Sequence, residues 1–423
     1  MATPPYLPRI VDEQIRADLA VMGAIVLEGP KACGKTETAR QHAASEVRLD
    51  VDETAAELAR LDPGLVLDGP TPRLIDEWQV EPRIWNAVRR AVDDRGEPGQ
   101  FLLTGSATPA PDALRHSGAG RMARIQMKPM SLWESGDSTG QVSLDALFDG
   151  EPAHGRSEQT VADYAQLITR GGWPEIVSTP VQDPERYVSN YLAYAVEHDI
   201  PSATGTQHDP GRLGRFLQAY AQVSAHATPL TKIISRVVGD DAPAGGRDRT
   251  LTWHTADAYR EASERLMLVA DLRAWSPELR SRTRLADLQK RHLTDPSLAA
   301  SLLGSNAGRL LREPKTLGYL FESLVARDVQ VYAQAIDARV FHYRERNGEL
   351  EVDLIVEKPD GAWLGIEVKL GSHAIDDAAA SLRTLGERRI ARPPEALAVI
   401  TSIEYAYRRP DGVDVIPLAA LKP

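Results

Sequence analysis

Gly29-Pro30-Lys31-Ala32-Cys33-Gly34-Lys35-Thr36 completes the pattern G-x-x-x-x-G-K-T, and its flanks place it between a strand and a helix. The apolar run Ala24-Ile25-Val26-Leu27 precedes it, and the helix-like Thr36–Ala44 follows. Glycines suit such a loop because backbone N–H groups must turn inward around phosphate oxygens with no Cβ in the way. Lys35 is spaced to reach β- and γ-phosphates, Thr36 to hold Mg²⁺, and the helix start, with Glu37, adds the partial positive charge of its free N–H groups. Gly29 through Glu37 are therefore the expected nucleotide contacts, and ATP and Mg²⁺ the expected ligands. Cys33 fills a permissive loop position; the alternative is a thiol activated by Lys35 and the helix start.

Working outward, the second half of such a site belongs at the end of another strand. Pro72-Arg73-Leu74-Ile75-Asp76-Glu77-Trp78-Gln79 supplies it. Leu74 and Ile75 read as buried strand, Asp76 emerges to order Mg²⁺, and Glu77 is the candidate to polarise the attacking water. A third run, Phe101-Leu102-Leu103-Thr104-Gly105-Ser106, ends in small polar residues. Thr104 and Ser106 are both candidates to stand between the carboxylates and the γ-phosphate; a turn with a helix cap is the competing reading. Arg121 and Arg124 follow, either as a source of positive charge for phosphoryl transfer, often from a neighbouring subunit, or as a solvated face. Short apolar runs separated by helical patterns predict an α/β domain with a parallel sheet over residues 1–135.

The chain has 423 residues, enough for two or three domains. It carries 49 Lys and Arg against 60 Asp and Glu, a net charge of −11 that disfavours coating nucleic acid or an anionic membrane. The single cysteine excludes an internal disulfide framework and a Cys-rich zinc module. No apolar stretch is long enough for a membrane span, and Asp12, Glu13 and Asp18 stand where a signal peptide would be apolar. A cytoplasmic chain without membrane contact is the expectation. Residues 136–160, rich in Gly, Ser, Asp and Pro, read as a linker. Residues 161–309 read as mainly helical, and 310–423 as a second α/β unit.

The order of these motifs resembles a known family. GPKACGKT, RLIDEWQ and FLLTGSA are followed by Gly120-Arg121, by Pro129-Met130-Ser131-Leu132-Trp133-Glu134, by Gly171-Gly172-Trp173-Pro174-Glu175 and by Gly318–Val325. Together they are similar to the prokaryotic AAA-like ATPases that carry a C-terminal domain of uncharacterised function. The resemblance implies an ATPase core, a winged-helix-like part in the helical middle and a restriction-endonuclease-like C-terminal fold. It also favours Arg121 over Arg124, through the Gly-Arg match.

In the middle segment, helix-like Thr250–Leu268 followed by strand-like stretches near Val269–Trp275 and Leu288–Leu293 gives the outline of a helix with a hairpin. Arg280, Arg282, Arg284, Lys290 and Arg291 lie in that hairpin zone, either contacting phosphates of DNA or forming a solvated face. Towards the C-terminus, Glu351–Glu357 and Trp363–Lys369 alternate as two strands. Putting Val352, Leu354 and Val356 on the same core face as Leu364, Ile366 and Val368 demands a five-residue connection pairing Leu354 with Ile366. That register sets Asp353 opposite Glu367, with Lys369 two residues along. Two acids and a lysine form the constellation of PD-(D/E)xK nucleases, in which the acids bind Mg²⁺; Glu322 matches the helical acid such folds add. The competing reading is an amphipathic hairpin with solvated charges. From Leu310 onward 15 basic residues face 18 acidic ones, a balance of −3, so DNA binding by this part alone is not expected.

Three functions follow as expectations. The first is a Mg-dependent ATPase, monomeric or homo-oligomeric, whose nucleotide state controls a DNA- or partner-binding C-terminal half. The second is a non-catalytic ATP-dependent switch or scaffold with a docking domain, and the third an ATP-regulated nuclease.

Overall fold

The computed structural model describes residues 6–105, 117–179, 183–201, 209–238, 251–277, 288–345, 348–387 and 392–423. Ser106, Arg280, Arg282 and Arg284, all singled out above, lie outside the described residues.

The apolar runs flanking the phosphate loop form a five-stranded sheet from β1 (Ala24–Glu28), β2 (Ser45–Arg48), β3 (Arg73–Asp76), β4 (Phe101–Gly105) and β5 (Met122–Gln126). Its order is β2-β3-β4-β1-β5 and every pairing is parallel. Strands covered on both sides have no solvent face, which is why the runs are continuous rather than alternating. Ala24 and Val26 pack with Ile84, Trp85, Val88 and Val92 of the helix Ile84–Arg95 on one side. Ile25 and Leu27 pack with Val11 and Ile15 of the helix Val11–Leu19 on the other. Because β4 lies between β1 and β3, the ends of the three strands bring Glu28, Gly105 and Asp76 to one edge.

Residues 136–160, expected as a linker, carry β6 (Val142–Ser143), the helix Leu144–Phe148 and β7 (Gly155–Arg156). In the mainly helical middle, β8 (His226–Ala227) pairs with β9 (Lys290–Arg291). Beyond it, β10 (Arg339–Arg344), β11 (Glu351–Glu357), β12 (Trp363–Lys369), β13 (Ala396–Thr401), β14 (Tyr405–Arg408) and β15 (Asp414–Pro417) form a mixed sheet of order β10-β11-β12-β13-β15-β14-β7. The segment 136–160 is thus built into the C-terminal sheet through β7, and β6 pairs with the last strand, β16 (Leu421–Lys422). Two-residue strands leave no periodicity to read, which is why composition alone suggested a linker.

β11 and β12 are antiparallel, Leu354 faces Ile366, and Lys358 to Ala362 connects them, as the alternation demands. The register of β10 on β11 shifts between Phe341 and Tyr343, so Asp353 and Leu354 together oppose His342. This bulge moves Val352 out of the layer holding Leu354 and Val356 and into the other one, beside Ile355 and Trp363.

The 22-residue helix Pro314–Ala335 is the central wall of the chain. Leu317, Leu320, Phe321 and Leu324 share one buried cluster with the middle helices and with Leu354, Ile366 and Val368 of the C-terminal sheet. The same helix also holds the phosphate-loop domain: Asp328 accepts from the Leu132 N–H at 3.0 Å and the Tyr332 hydroxyl from the Trp133 N–H at 3.2 Å. No described helix is long and apolar enough to cross a membrane.

Candidate functional site: a phosphate loop under a helical roof

The phosphate loop turns where Gly34 adopts φ 97°, a conformation that L side chains avoid, and the helix Lys35–Arg40 begins there. Lys35 is buried, its ammonium donating to the Gly29 and Pro30 carbonyls at 2.9 Å each. Thr36 Oγ1 donates to Asp76 Oδ1 at 2.8 Å, and the buried Thr104 hydroxyl donates to the same oxygen. A hydroxyl and a carboxylate at the end of adjacent strands form the oxygen-rich set that suits a hard divalent ion. Glu77 follows in the left-handed region at φ 54°, and its carboxylate accepts from the Gln79 amide. A Cβ at Gly105 would meet Gln79 Oε1 at 2.5 Å, so a larger residue there would push the Gln79 amide aside.

Lys35, Thr36, Glu37 and Glu77 line an open cavity of about 750 Å³. Its opposite side is Pro174, Glu175, Ser178 and Thr179, from the short helix Pro174–Ser178 of the middle segment. A second cavity of about 270 Å³ adjoins it through Gly34, Glu37, Pro174 and Ser178, and is bounded by Tyr6, Leu7 and Met130. Lys31 reaches out of the loop to Asp199 at 2.6 Å, with its ammonium 5.8 Å from the centre of the Tyr194 ring. Cys33 turns the other way. It is fully buried in the core, with its sulfur 2.8 Å from where a Gly29 Cβ would sit.

Sequence reasoning missed Arg9, which supports this loop from below. Its guanidinium donates to the Cys33 carbonyl at 2.7 Å and the Lys128 carbonyl at 2.7 Å, and pairs with buried Glu134 at 3.0 Å. A lone arginine in an N-terminal stretch has no spacing that announces such a role. The Gly171-Gly172 motif also finds its reason, since a Cβ on Gly172 would lie 2.1 Å from the Met130 carbonyl oxygen. Met130 and Gly172 are hydrogen-bonded there, and the Gly172 N–H donates to Asp295, which Arg327 holds at 2.8 Å.

Arg121 stands at the far end of the sheet. It precedes β5, which runs parallel to β1, so it lies level with Ala24 while the phosphate loop follows Glu28. It pairs with Asp93 at 2.7 Å, and Arg124 lies 3.6 Å from Glu28. Neither lines the cavity at the phosphate loop of its own chain.

Residues 22–135 match an AAA domain. The match supports a P-loop AAA-like ATPase domain in this part of the chain. Residues 161–309 match a domain of unknown function (DUF8612), and residues 317–421 another (DUF4143). Two curated relatives, the uncharacterized proteins Mb2031c of Mycobacterium bovis and Rv2008c of Mycobacterium tuberculosis, are each 24% identical over 410 residues. Those alignments cover 96% of this chain and 82% of each relative. Among solved structures, the Walker-type ATPase paby2304 of Pyrococcus abyssi aligns at 13% identity and a TM-score of 0.38, over 69% of this chain and 94% of its own.

The candidate acids of the C-terminal sheet gather as follows. Lys369 Nζ lies 2.6 Å from Glu367 and 3.7 Å from Asp353, and Asp353 also accepts from the Val368 N–H at 2.9 Å. Glu322, on the helix Pro314–Ala335, joins them only through Lys290 of β9, whose ammonium is 2.5 Å from Glu322 and 2.7 Å from Asp353. Burial would raise the Asp353 carboxyl, but the Lys290 and Lys369 ammoniums outweigh it and hold it well below the usual range. Burial pushes Glu322 up to about 8, helped by the Asp353 charge, and raises Glu367 well above its ordinary value. Among the described residues no three His, Cys, Asp or Glu side chains surround a point where a metal ion could sit.

Lys290 and Arg291 are expected either to contact phosphates or to form a solvated face. The structure corrects both. Lys290 is 1% exposed, and Arg291 is buried in a 2.5 Å pair with Asp271, against the Tyr220 ring. They belong to the strand core and not to a nucleic-acid surface. The hairpin itself is present, with Leu272 and Lys290 exchanging backbone hydrogen bonds at 2.9 and 3.0 Å.

Proposed function

We propose that this chain is a Mg-dependent ATPase whose nucleotide state controls its C-terminal half, a module that binds DNA or a protein partner. The observation that carries the reading is the contact of Thr36 with Asp76, beside Lys35 and Glu77, in a cavity whose other wall is the middle segment. In this reading Lys35 leaves the loop carbonyls for the β- and γ-phosphates. Thr36, and Asp76 through water, hold Mg²⁺, which neutralises charge on the phosphates. Glu77 orients and polarises the attacking water, and Thr104 fixes the Asp76 carboxylate. The smaller cavity beside Tyr6, Leu7 and Met130 is the natural seat for the base, because it opens from the loop at Gly34.

Control of the C-terminal half is supported by three links from the loop domain. They are the wall formed by Pro174–Ser178, the Lys31–Asp199 ion pair, and the hydrogen bonds of Leu132 and Trp133 to the helix Pro314–Ala335. Turnover of labelled ATP tests the reading. Lys35→Ala should lose nucleotide binding, because the loop loses its cation. Glu77→Gln should bind ATP as wild type does and hydrolyse it about 10²–10⁴-fold more slowly. Full hydrolysis by Lys35→Ala would remove the proposed site. Intact binding with equally negligible turnover in wild type and Glu77→Gln would favour the non-catalytic switch.

A further inference from the structure

The resemblance to PD-(D/E)xK folds calls for a divalent ion between Asp353, Glu367 and Glu322, and three buried acids do need a counter-charge. Lys290 already supplies one. Its ammonium touches both Glu322 and Asp353, with Glu351 3.9 Å away at the rim. Lys369, the lysine that would activate water in such a site, is spent on Glu367 and Asp353. With Glu322, Asp353 and Glu367 all ionised against Lys290 and Lys369, the cluster is one positive charge short of neutrality, and burial favours the protonated form of Glu322 and of Glu367. A divalent ion added to the same oxygens would face two ammoniums across low-dielectric space, where like charges repel strongly.

Lys290 is also held in place by its backbone. It pairs with Ala227 of β8 on one edge, and on the other exchanges hydrogen bonds with Leu272 at 3.0 and 2.9 Å. Behind it, His292 is tied to Ser323 at 3.0 Å and His342 to the Leu288 carbonyl at 2.9 Å. The backbone of β9 is thus fixed on both sides, and the ammonium, buried on the carboxylates it meets, leaves them only by a change of side-chain rotamer inside the cluster.

We infer that Lys290 is the resident cation of this carboxylate cluster, in the place where the resemblance calls for a metal, and that the cluster is a receptor holding the middle segment on the C-terminal sheet. The C-terminal unit then takes no catalytic metal and performs no metal-dependent cleavage. Its acids dock β9, and any DNA or protein partner is met on another surface. This does not depend on the ATPase reading, because the cluster includes no residue of the phosphate loop.

The full-length protein without nucleotide tests it with MnCl2 as the probe. Free Mn²⁺ is read by electron paramagnetic resonance, and lysine reactivity by acetic anhydride labelling and peptide mass. Wild type and Asp353→Asn should show the same Mn²⁺ occupancy, and Lys290 should stay unlabelled with and without Mn²⁺. Lys290→Met leaves the acids without their ammonium, and should gain one equivalent of Mn²⁺ that the double variant Lys290→Met/Asp353→Asn loses. Three results would overturn the inference: a wild-type Mn²⁺ site lost in Asp353→Asn, Lys290 becoming reactive as Mn²⁺ is added, or a folded Lys290→Met that takes up no Mn²⁺. If either variant fails to fold, the labelling of wild type decides alone.

Discussion

Arg9 shows how much one side chain can carry at a loop that must stay open for a ligand. A phosphate loop exposes inward-facing N–H groups and leaves its carbonyls pointing away, so those carbonyls need donors from below. Arg9 gives one donor to the Cys33 carbonyl, one to Lys128 and a third to Glu134, all in a buried setting. Glu134 also accepts from the Ile10 and Ser131 N–H groups, so its charge stays buried if Arg9 is removed. Arg9→Met should therefore destabilise the protein by about 3–5 kcal/mol, the usual cost of stranding one member of a buried ion pair. The measurement is the shift in urea midpoint at constant slope. Arg9→Met/Glu134→Gln should recover part of the loss, and a single variant within about 1 kcal/mol of wild type would show that the pair adds little. Such a role had no sequence signal, whereas Lys35, Thr36 and Asp76 were legible because their chemistry fixes their spacing to a strand and a turn. Arg9 acts across 125 residues to Glu134, and only the folded chain brings them together.

At the level of elements, the hairpin of β11 and β12 was readable because alternation admits only one register over a short connection. Val352 escaped that reading because the bulge opposite His342 is set by the neighbouring strand β10 and not by the hairpin itself. Lys290 escaped it for a different reason: its partner Asp353 is 63 residues away, on an element whose own pattern does not mention β9. The two histidines near that lysine give this layer a pH dependence. Burial pushes His342 down to about 4 and holds His292 well below its usual range, and the Lys290 ammonium adds to both. Arg344 works in the same direction on His342, Lys128 on His292, and Asp353 opposes on each. Both rings are therefore neutral when folded and titrate near 6.5 when unfolded. A base whose folded value is depressed contributes its stability in full above the unfolded value, and loses it as pH falls. Between pH 7 and pH 5 each ring should cost the fold roughly 2 kcal/mol. His342→Gln keeps a donor for the Leu288 carbonyl and cannot titrate, so its melting temperature should fall less over that interval than that of wild type. Parallel curves for the two proteins would rule out His342 as a source.

For the whole molecule, the decisive geometry is that the nucleotide cavity and Arg121 are at opposite ends of one parallel sheet. The five residues of β1, at about 3.3 Å each, keep them roughly 15 Å apart along the strand direction. Arg121 thus does not serve the phosphate loop of its own chain without unravelling β5; it is nearly half exposed and pairs with surface Asp93. If it stabilises phosphoryl transfer, it does so across a head-to-tail contact, in which the back of one sheet meets the mouth of the next. Repeated from chain to chain, such a contact closes into a ring or extends as a filament. Activity per chain should then rise with protein concentration, and Arg121→Ala should slow turnover about 10³-fold or more while leaving ATP binding intact. Arg121→Ala chains keep Glu77, and Glu77→Gln chains keep Arg121. Mixed in equal amounts, about a quarter of head-to-tail interfaces combine one intact group of each kind, so the mixture should regain turnover that neither variant has alone. A two-fold dimer in which each Arg121 reaches the other chain's cavity would complement to the same extent, so sedimentation velocity tells it from a ring or filament, and a monomer gives no recovery at all. Turnover that is independent of concentration, with no recovery on mixing, would return Arg121 to the role its Asp93 contact already describes, a surface ion pair worth well under about 1 kcal/mol.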